Sequence, residues 1–201
     1  MRATLLALLL TATFAAAQTS PSSPQGPPPS PPQNVPNSAQ LVYQAAENSY
    51  NAQADAFRAA AKAAFAAEGT HEAAFICPNV ANPSEMNDCV AHENAVTTAN
   101  YQAFTAALRS LLALPEPPEP GVTNPVQGVS GPQATPASST AAFDAAESAW
   151  QAYIKAECSA EDAEWRDGTV VNFKGSECYI RQSRARLYEL ADVYSNNLRL
   201  N

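Results

Sequence analysis

Two proline-rich stretches divide the chain and limit where a core can form. Residues 19–37 contain eight of the 17 prolines, and residues 115–136 contain seven more. A proline inside a helix removes a hydrogen bond and clashes with the preceding turn, and stretches of this composition bury too little apolar surface to fold alone. We therefore predict a disordered linker at residues 18–37 and a proline-rich insert at residues 115–138, with folded structure in the two parts that they separate.

The first 17 residues have the pattern of a secretory signal peptide. Arg2 provides the positive start, Leu5–Leu10 is a short apolar run, and Ala15–Ala17 is a small-residue cleavage site. No cysteine follows that site to accept a lipid anchor. We expect an exported, soluble protein, periplasmic or extracellular, with 10 basic and 19 acidic residues and a net charge of −9 once Arg2 is removed.

Charge and composition exclude several classes of function. An isoelectric point near 4.7 argues against a nucleic-acid binder, which needs a basic surface. No apolar run reaches the roughly 18 residues of a membrane-spanning helix. The chain has two histidines, no nucleotide-binding loop and no carboxylate that its context distinguishes as catalytic. We predict a protein that binds a partner and is not an enzyme, with no cofactor.

The four cysteines are expected to form disulfides, because an exported protein folds in an oxidising compartment. Their spacing favours two local bridges, Cys77–Cys89 and Cys158–Cys178, among the three connectivities that four cysteines allow. The alternative is a zinc site at Cys77 and Cys89 with His92, one helical turn beyond Cys89, and His71 nearby. The oxidising compartment favours the disulfides, so no metal is predicted.

The sequence of the first folded part predicts a helix that begins near Ser38 and ends at Gly69. Alanine, the strongest helix former, supplies 12 of the 23 residues from 45 to 67. Aromatic residues lie on one face at intervals of about two turns: Tyr43, Tyr50, Phe57 and Phe65. We interpret this stripe as a core seam, with a seam between two copies of the chain as the alternative.

Three further helices follow. In the second, Asn82 is the predicted N-cap, Pro83 fits the first helical position, Glu85 sits at the capping-box position and Pro115 ends the helix. The remaining elements are a third helix from about Ser139 to before Gly168, a loop with Val170, Val171 and Phe173, and a fourth helix from about Ser176 to Leu198. The predicted fold is all-α, a four-helix bundle of two disulfide-linked hairpins at residues 38–114 and 139–201.

Two motifs coincide with the cysteines. Cys77 is followed by Glu85-Met86-Asn87-Asp88-Cys89. In the second part, Trp150, Tyr153 and Cys158 share one helix, and Cys178 is followed by Arg186-Leu-Tyr-Glu189-Leu190. Together they resemble the LprI-type lysozyme-inhibitor family of bacterial cell-envelope proteins over about residues 77–190. The resemblance implies a single LprI-like domain, lysozyme inhibition as the function, and Trp150, Tyr153 and Leu190 as a core motif.

The segment between Cys158 and Cys178 is the predicted interaction surface, because a disulfide-closed loop loses little entropy on binding. The candidate residues are Trp165, Arg166, Phe173 and Lys174 in this segment and Arg186 on the fourth helix. Tryptophan and arginine commonly anchor interfaces, and a basic lysozyme would be attracted to an acidic protein. The alternatives are that Trp165 and Phe173 cover the end of the core and that Arg186 pairs with Glu189.

A function of a different class fits the same pattern. A cell-envelope structural or scaffolding module without inhibitory activity would also be exported, helical and disulfide-bonded, with proline-rich segments that set its reach. An inhibitor depends on a compact anchor surface, whereas a scaffold would depend on the linker at residues 18–37.

Overall fold

The computed structural model describes residues 37–74, 77, 82–118, 135–166 and 171–200, with only the backbone for 171–173. The described residues form five helices and no strand: α1 Ser38–Ala73, α2 Pro83–Leu112, α3 Pro136–Glu164, α4 Val171–Val193 and α5 Ser195–Leu198. The all-α class is therefore confirmed. The predicted signal peptide, all of the linker except Asn37, and residues 119–134 of the insert lie outside the described residues.

Helix α1 starts as predicted but is longer. Its N-cap is Asn37, and Asn37 and Gln40 form a reciprocal capping box with two hydrogen bonds of 2.9 Å. The predicted end at Gly69 was wrong, since the helix continues to Ala73. A helical glycine costs only about 1 kcal/mol relative to alanine. The contacts of the adjacent, fully buried Glu68 outweigh that cost.

The start of α2 is confirmed. Asn82 is its N-cap, the Oδ1 atom of Asn82 accepts a hydrogen bond from the backbone N–H of Glu85 at 3.0 Å, and Pro83 occupies the first helical position. The helix ends at Leu112, three residues before Pro115. Proline at N1 costs nothing because the N–H that it lacks would have no partner within the helix.

Helices α3 and α4 both begin earlier than predicted. Helix α3 starts at Pro136, capped by Thr135, and α4 starts at Val171, so Val171 and Phe173 are helical and not in a loop. Gly175 is buried inside α4. A Cβ atom built there would lie 2.6 Å from Oδ1 of Asp162 on α3. Gly175 therefore permits the close approach of the two helices.

The last predicted helix is interrupted. Helix α4 ends at Val193, and the four-residue α5 follows Tyr194. The side chain of Leu198 on α5 is fully buried and belongs to the core. The interruption directs the end of the chain back onto α1 and α4, which α5 contacts.

The core lies where α2 and α4 pack against each other. Helix α1 packs along α2, and α3 packs mainly against α4. The most deeply buried large apolar side chains are Phe104, Leu108, Leu187 and Leu198. On α1 the fully buried positions are Ala54 and Ala61, while Tyr50, Phe57 and Phe65 contact this core from its edge. The predicted stripe of α1 thus faces the core, with alanines at its centre.

The predicted core motif is only partly correct. Leu190 is buried and Trp150 packs against the main core, with its ring 5.0 Å from that of Tyr101 between centroids. Tyr153 is 53% exposed. The buried positions of α3 follow one stripe that includes Ile154, and adjacent residues point about 100° apart on a helix, so Tyr153 lies off that stripe.

Shortening Leu187 tests the position of the core. We expect Leu187→Ala to lower the free energy of unfolding by about 2–5 kcal/mol, because the side chain is fully buried in the main core and its removal leaves a cavity. Chemical denaturation of the oxidised protein measures the change. Val193→Ala is the matched control on the same helix, since Val193 is 65% exposed and its shortening should have little effect. Similar changes in the two variants would contradict this core.

Candidate interaction surface

Both local disulfides are present. Cys77 is bonded to Cys89, with the Cα atoms 6.0 Å apart, and Cys158 is bonded to Cys178, with the Cα atoms 5.6 Å apart. This is the pairing that the spacing favoured, and it removes the free thiols that the zinc alternative required. The second bridge joins the last two turns of α3 to the second turn of α4. It is fully buried and restrains the connection that carries the candidate residues.

Trp165 lies at the C-terminal end of α3, where it is the C-cap residue. Its side chain is 45% exposed, and Nζ of Lys174 lies 5.7 Å from the centre of its ring, within the range of a cation–π contact. Lys174 also forms an ion pair with Glu177 at 2.7 Å. These contacts restrict the motion of the Trp165 side chain, which still exposes nearly half of its surface to solvent.

The other two predicted residues of this segment are less fully described. Arg166 follows Trp165 directly and is exposed. Phe173 lies in the first turn of α4, and its side chain is outside the described part of the chain. The connection between the two helices therefore brings Trp165 and Lys174 into contact, with Arg166 beside them in sequence.

The last two turns of α3 are acidic. They carry Glu157, Glu161, Asp162 and Glu164, with no basic residue in the last turn. The C-terminal end of a helix has a partial negative charge, so carboxylates there repel it. The ion pair between Arg181 and Glu161, at 2.7 Å, offsets part of this repulsion.

Arg186 has a largely internal role. Its side chain is 13% exposed, and its Nη2 and Nε atoms donate to Oε1 of Glu147 on α3 at 2.6 and 3.0 Å. Nη1 donates to Glu189, which is the pairing that the sequence left open. The hydroxyl of Tyr101 on α2 donates to the other oxygen of Glu147. Burial, together with the hydrogen bond to Glu147, raises the pKa of Tyr101 well above its usual range.

A second buried network was not predicted from the sequence. Glu68 on α1 is fully buried and accepts hydrogen bonds from Arg184 on α4 at 2.6 Å and from Thr97 and Asn100 on α2 at 2.8 Å each. Burial raises the pKa of Glu68, but these three hydrogen bonds outweigh it and hold the pKa below its ordinary value of 4.5. The available signal was spacing, because Glu68 continues the seven-residue stripe of Ala54 and Ala61.

A family model for the lysozyme inhibitor LprI matches residues 77–190, more than half of the chain. The chain belongs to the LprI family. The match includes both disulfides, the exposed Trp165 and the two arginines of α4 that bind buried carboxylates. The match does not include α1. Helix α1 nevertheless supplies Glu68, whose hydrogen-bond partners lie on α2 and α4 within the matched range. No curated protein and no solved structure matches the chain.

In the described ranges, no helix is both long enough and apolar enough to cross a membrane. The longest, α1, has 36 residues, but charged and polar side chains recur along it. The LprI match and the two disulfides are both features of exported proteins.

Replacing Glu68 tests the buried network. Because the pKa of Glu68 is lowered in the folded protein, its carboxylate contributes stability that is present above about pH 4.5 and is lost as the pH falls through the folded-state pKa. We expect Glu68→Gln to lower the free energy of unfolding at neutral pH by about 3–5 kcal/mol, since Arg184 remains buried without its partner. The variant should also lose less stability than the wild type as the medium is acidified.

Denaturation at a series of pH values measures both effects. Glu157→Gln is the control, because Glu157 is exposed on α3 and makes no ion pair with the described residues. It should follow the wild-type profile. If Glu68→Gln has wild-type stability at neutral pH, or loses as much stability in acid as the wild type does, then Glu68 and Arg184 do not form a buried ion pair.

Proposed function

We propose that this protein is an exported, non-catalytic inhibitor that binds and blocks lysozyme-type cell-wall hydrolases. The observation that carries the proposal is membership of the LprI lysozyme inhibitor family, since that family is one of inhibitors. We further propose that residues 38–201 form one domain, a four-helix bundle of two hairpins. The contacts of α1 with α2 and of α2 with α4 support this proposal.

The end of the molecule that carries Trp165 is the proposed inhibitory surface. Trp165 is a large aromatic side chain at the end of a helix, and the buried disulfide Cys158–Cys178 restrains the segment behind it. A restrained anchor loses little entropy when it binds. Arg166 and Lys174 next to it are suited to contact acidic groups of a partner. Phe173 is proposed as a second apolar contact, and Arg186 as a residue that positions α4 against α3.

Charge supports a basic lysozyme as the partner. The chain has a net charge of −8, and the acidic last turns of α3 lie beside Trp165. A lysozyme cleft contains two carboxylates, which Lys174 or Arg166 would meet, while the basic surface around such a cleft would meet the acidic turns of α3. Attraction of this kind mainly raises the association rate and weakens as salt is added.

Truncating Trp165 tests the surface. We expect Trp165→Ala to raise the inhibition constant at least about tenfold, because a central tryptophan of an interface commonly contributes 2 kcal/mol or more. The oxidised protein without the predicted signal peptide is titrated against a basic animal lysozyme on a cell-wall substrate. Tyr153→Ala is the matched control, since Tyr153 is also an exposed aromatic residue on α3 and should leave the inhibition unchanged.

The same titration at two salt concentrations tests the electrostatic part. Inhibition by the wild type should be stoichiometric at low salt and weaker at high salt. If the folded, thiol-free protein does not inhibit at micromolar concentrations, inhibition of that lysozyme class is wrong. If Trp165→Ala and Tyr153→Ala inhibit equally well, the function stands but the surface is wrong. Loss of envelope binding only when residues 18–37 are deleted would favour the scaffolding alternative.

A further inference from the structure

A cleft of about 510 Å³ lies between the C-terminal part of α1 and the outer face of α4. It is lined by two acidic, two basic and three uncharged residues: Glu72, Glu177, Arg181, Arg184, Ile180, Ala185 and Tyr188. Its volume is within the range of about 300–1,000 Å³ that is typical of small-molecule sites. It contains no residue of the proposed inhibitory surface, although Glu177, which lines it, pairs with Lys174 of that surface.

One side of the cleft has donors suited to a carboxylate. Arg184 uses its Nε atom for Glu68, while its Nη2 atom is buried and has no hydrogen-bond partner among the described residues. A buried donor without a partner costs about 1–3 kcal/mol, so a ligand that accepts from it recovers that free energy. Arg181 lies one turn away on the same face of α4. Its Nη2 atom donates to Glu161 at 2.7 Å, but a guanidinium group has five N–H donors, so Arg181 and Arg184 can both donate to one carboxylate.

The other charged groups of the cleft are acceptors. Glu72 accepts from the hydroxyl of Tyr188, and this hydrogen bond, with burial, raises the pKa of Tyr188 to about 12. Glu177 accepts from Lys174. A carboxylate has about four acceptor positions, so both can accept from a further cationic donor. Their negative charge also opposes the binding of a simple anion such as phosphate.

We infer that this cleft binds a short peptide with a free ammonium group and a free carboxylate. The carboxylate contacts Arg184 and Arg181, and the ammonium group contacts Glu177 or Glu72. Glu177 and Arg184 are seven residues apart on one helix, which corresponds to about 10 Å along its axis. An extended tripeptide has about the same length. Ile180 and Ala185 provide the apolar part of the lining.

Three small peptides test the inference directly. The probes are trialanine with free ends, N-acetyl-trialanine without the ammonium group, and trialanine amide without the carboxylate. Binding to the oxidised protein is measured by calorimetry and by NMR shifts of the α4 amides. Trialanine should bind at least about tenfold more tightly than either blocked peptide, because each blocked peptide loses charge-assisted hydrogen bonds worth about 1.5–3 kcal/mol.

A steric variant separates the site from the stability of the fold. Ala185 lines the cleft and is exposed, so Ala185→Leu should fill the cleft without removing a charge and should weaken trialanine binding at least about tenfold. Ala149→Leu is the matched control on the exposed side of α3 and should bind trialanine as the wild type does. Both variants should unfold at wild-type denaturant concentrations.

Three outcomes would overturn the inference. The first is the absence of trialanine binding at about 10 mM, a concentration at which a Kd near 1 mM would give about 90% occupancy. The others are equal binding of the three peptides and unchanged trialanine binding by Ala185→Leu. The lysozyme titration run on the same variants keeps the two proposals separate. Ala185→Leu should retain wild-type inhibition, and Trp165→Ala should retain trialanine binding.

Discussion

The position of α4 depends on two arginines that bind buried carboxylates on different neighbours. Arg184 pairs with Glu68 of α1 and Arg186 pairs with Glu147 of α3, and α2 completes both networks through Thr97, Asn100 and Tyr101. A buried carboxylate without its partner is strongly destabilising. A rotation of α4 by one residue would separate both pairs at once. Leu187 on the same helix is fully buried in the main core.

The same arrangement determines which surfaces are available for binding. With α4 held against α3, Gly175 approaches Asp162 and the disulfide Cys158–Cys178 closes, so Trp165 is directed to the end of the molecule. With α4 held against α1, Arg184 has its Nε atom on Glu68 and is one of the residues that line the cleft. The proposed inhibitory surface therefore depends on the contacts of α4 with α3, and the proposed peptide cleft depends on the contacts of α4 with α1.

Much of the fold could be predicted because helix signals are local. The cap at Asn82, the proline at the start of α2 and the alanine-rich composition act within a few residues. One error occurs at a glycine: Gly69 was predicted to end α1 but lies inside it, because the contacts of Glu68 outweigh a local cost of about 1 kcal/mol. The predicted loop before α4 was also wrong, since Val171 and Phe173 are helical and Gly175 lets α3 approach α4 closely. Neither contact can be recognised from neighbouring residues.

The candidate surface was also predicted only in part. The disulfide pairing followed from spacing and compartment, and Trp165 is indeed exposed beside the bridge. Arg186 could not be distinguished from a surface arginine, since its main partner, Glu147, is 39 residues away in the chain. The sequence by itself determined the all-α class, the acidic charge and the family, and it favoured the two local disulfides. Only the tertiary structure decided which charged residues are buried in pairs and which face solvent, because that depends on the residues that other helices bring within hydrogen-bonding distance.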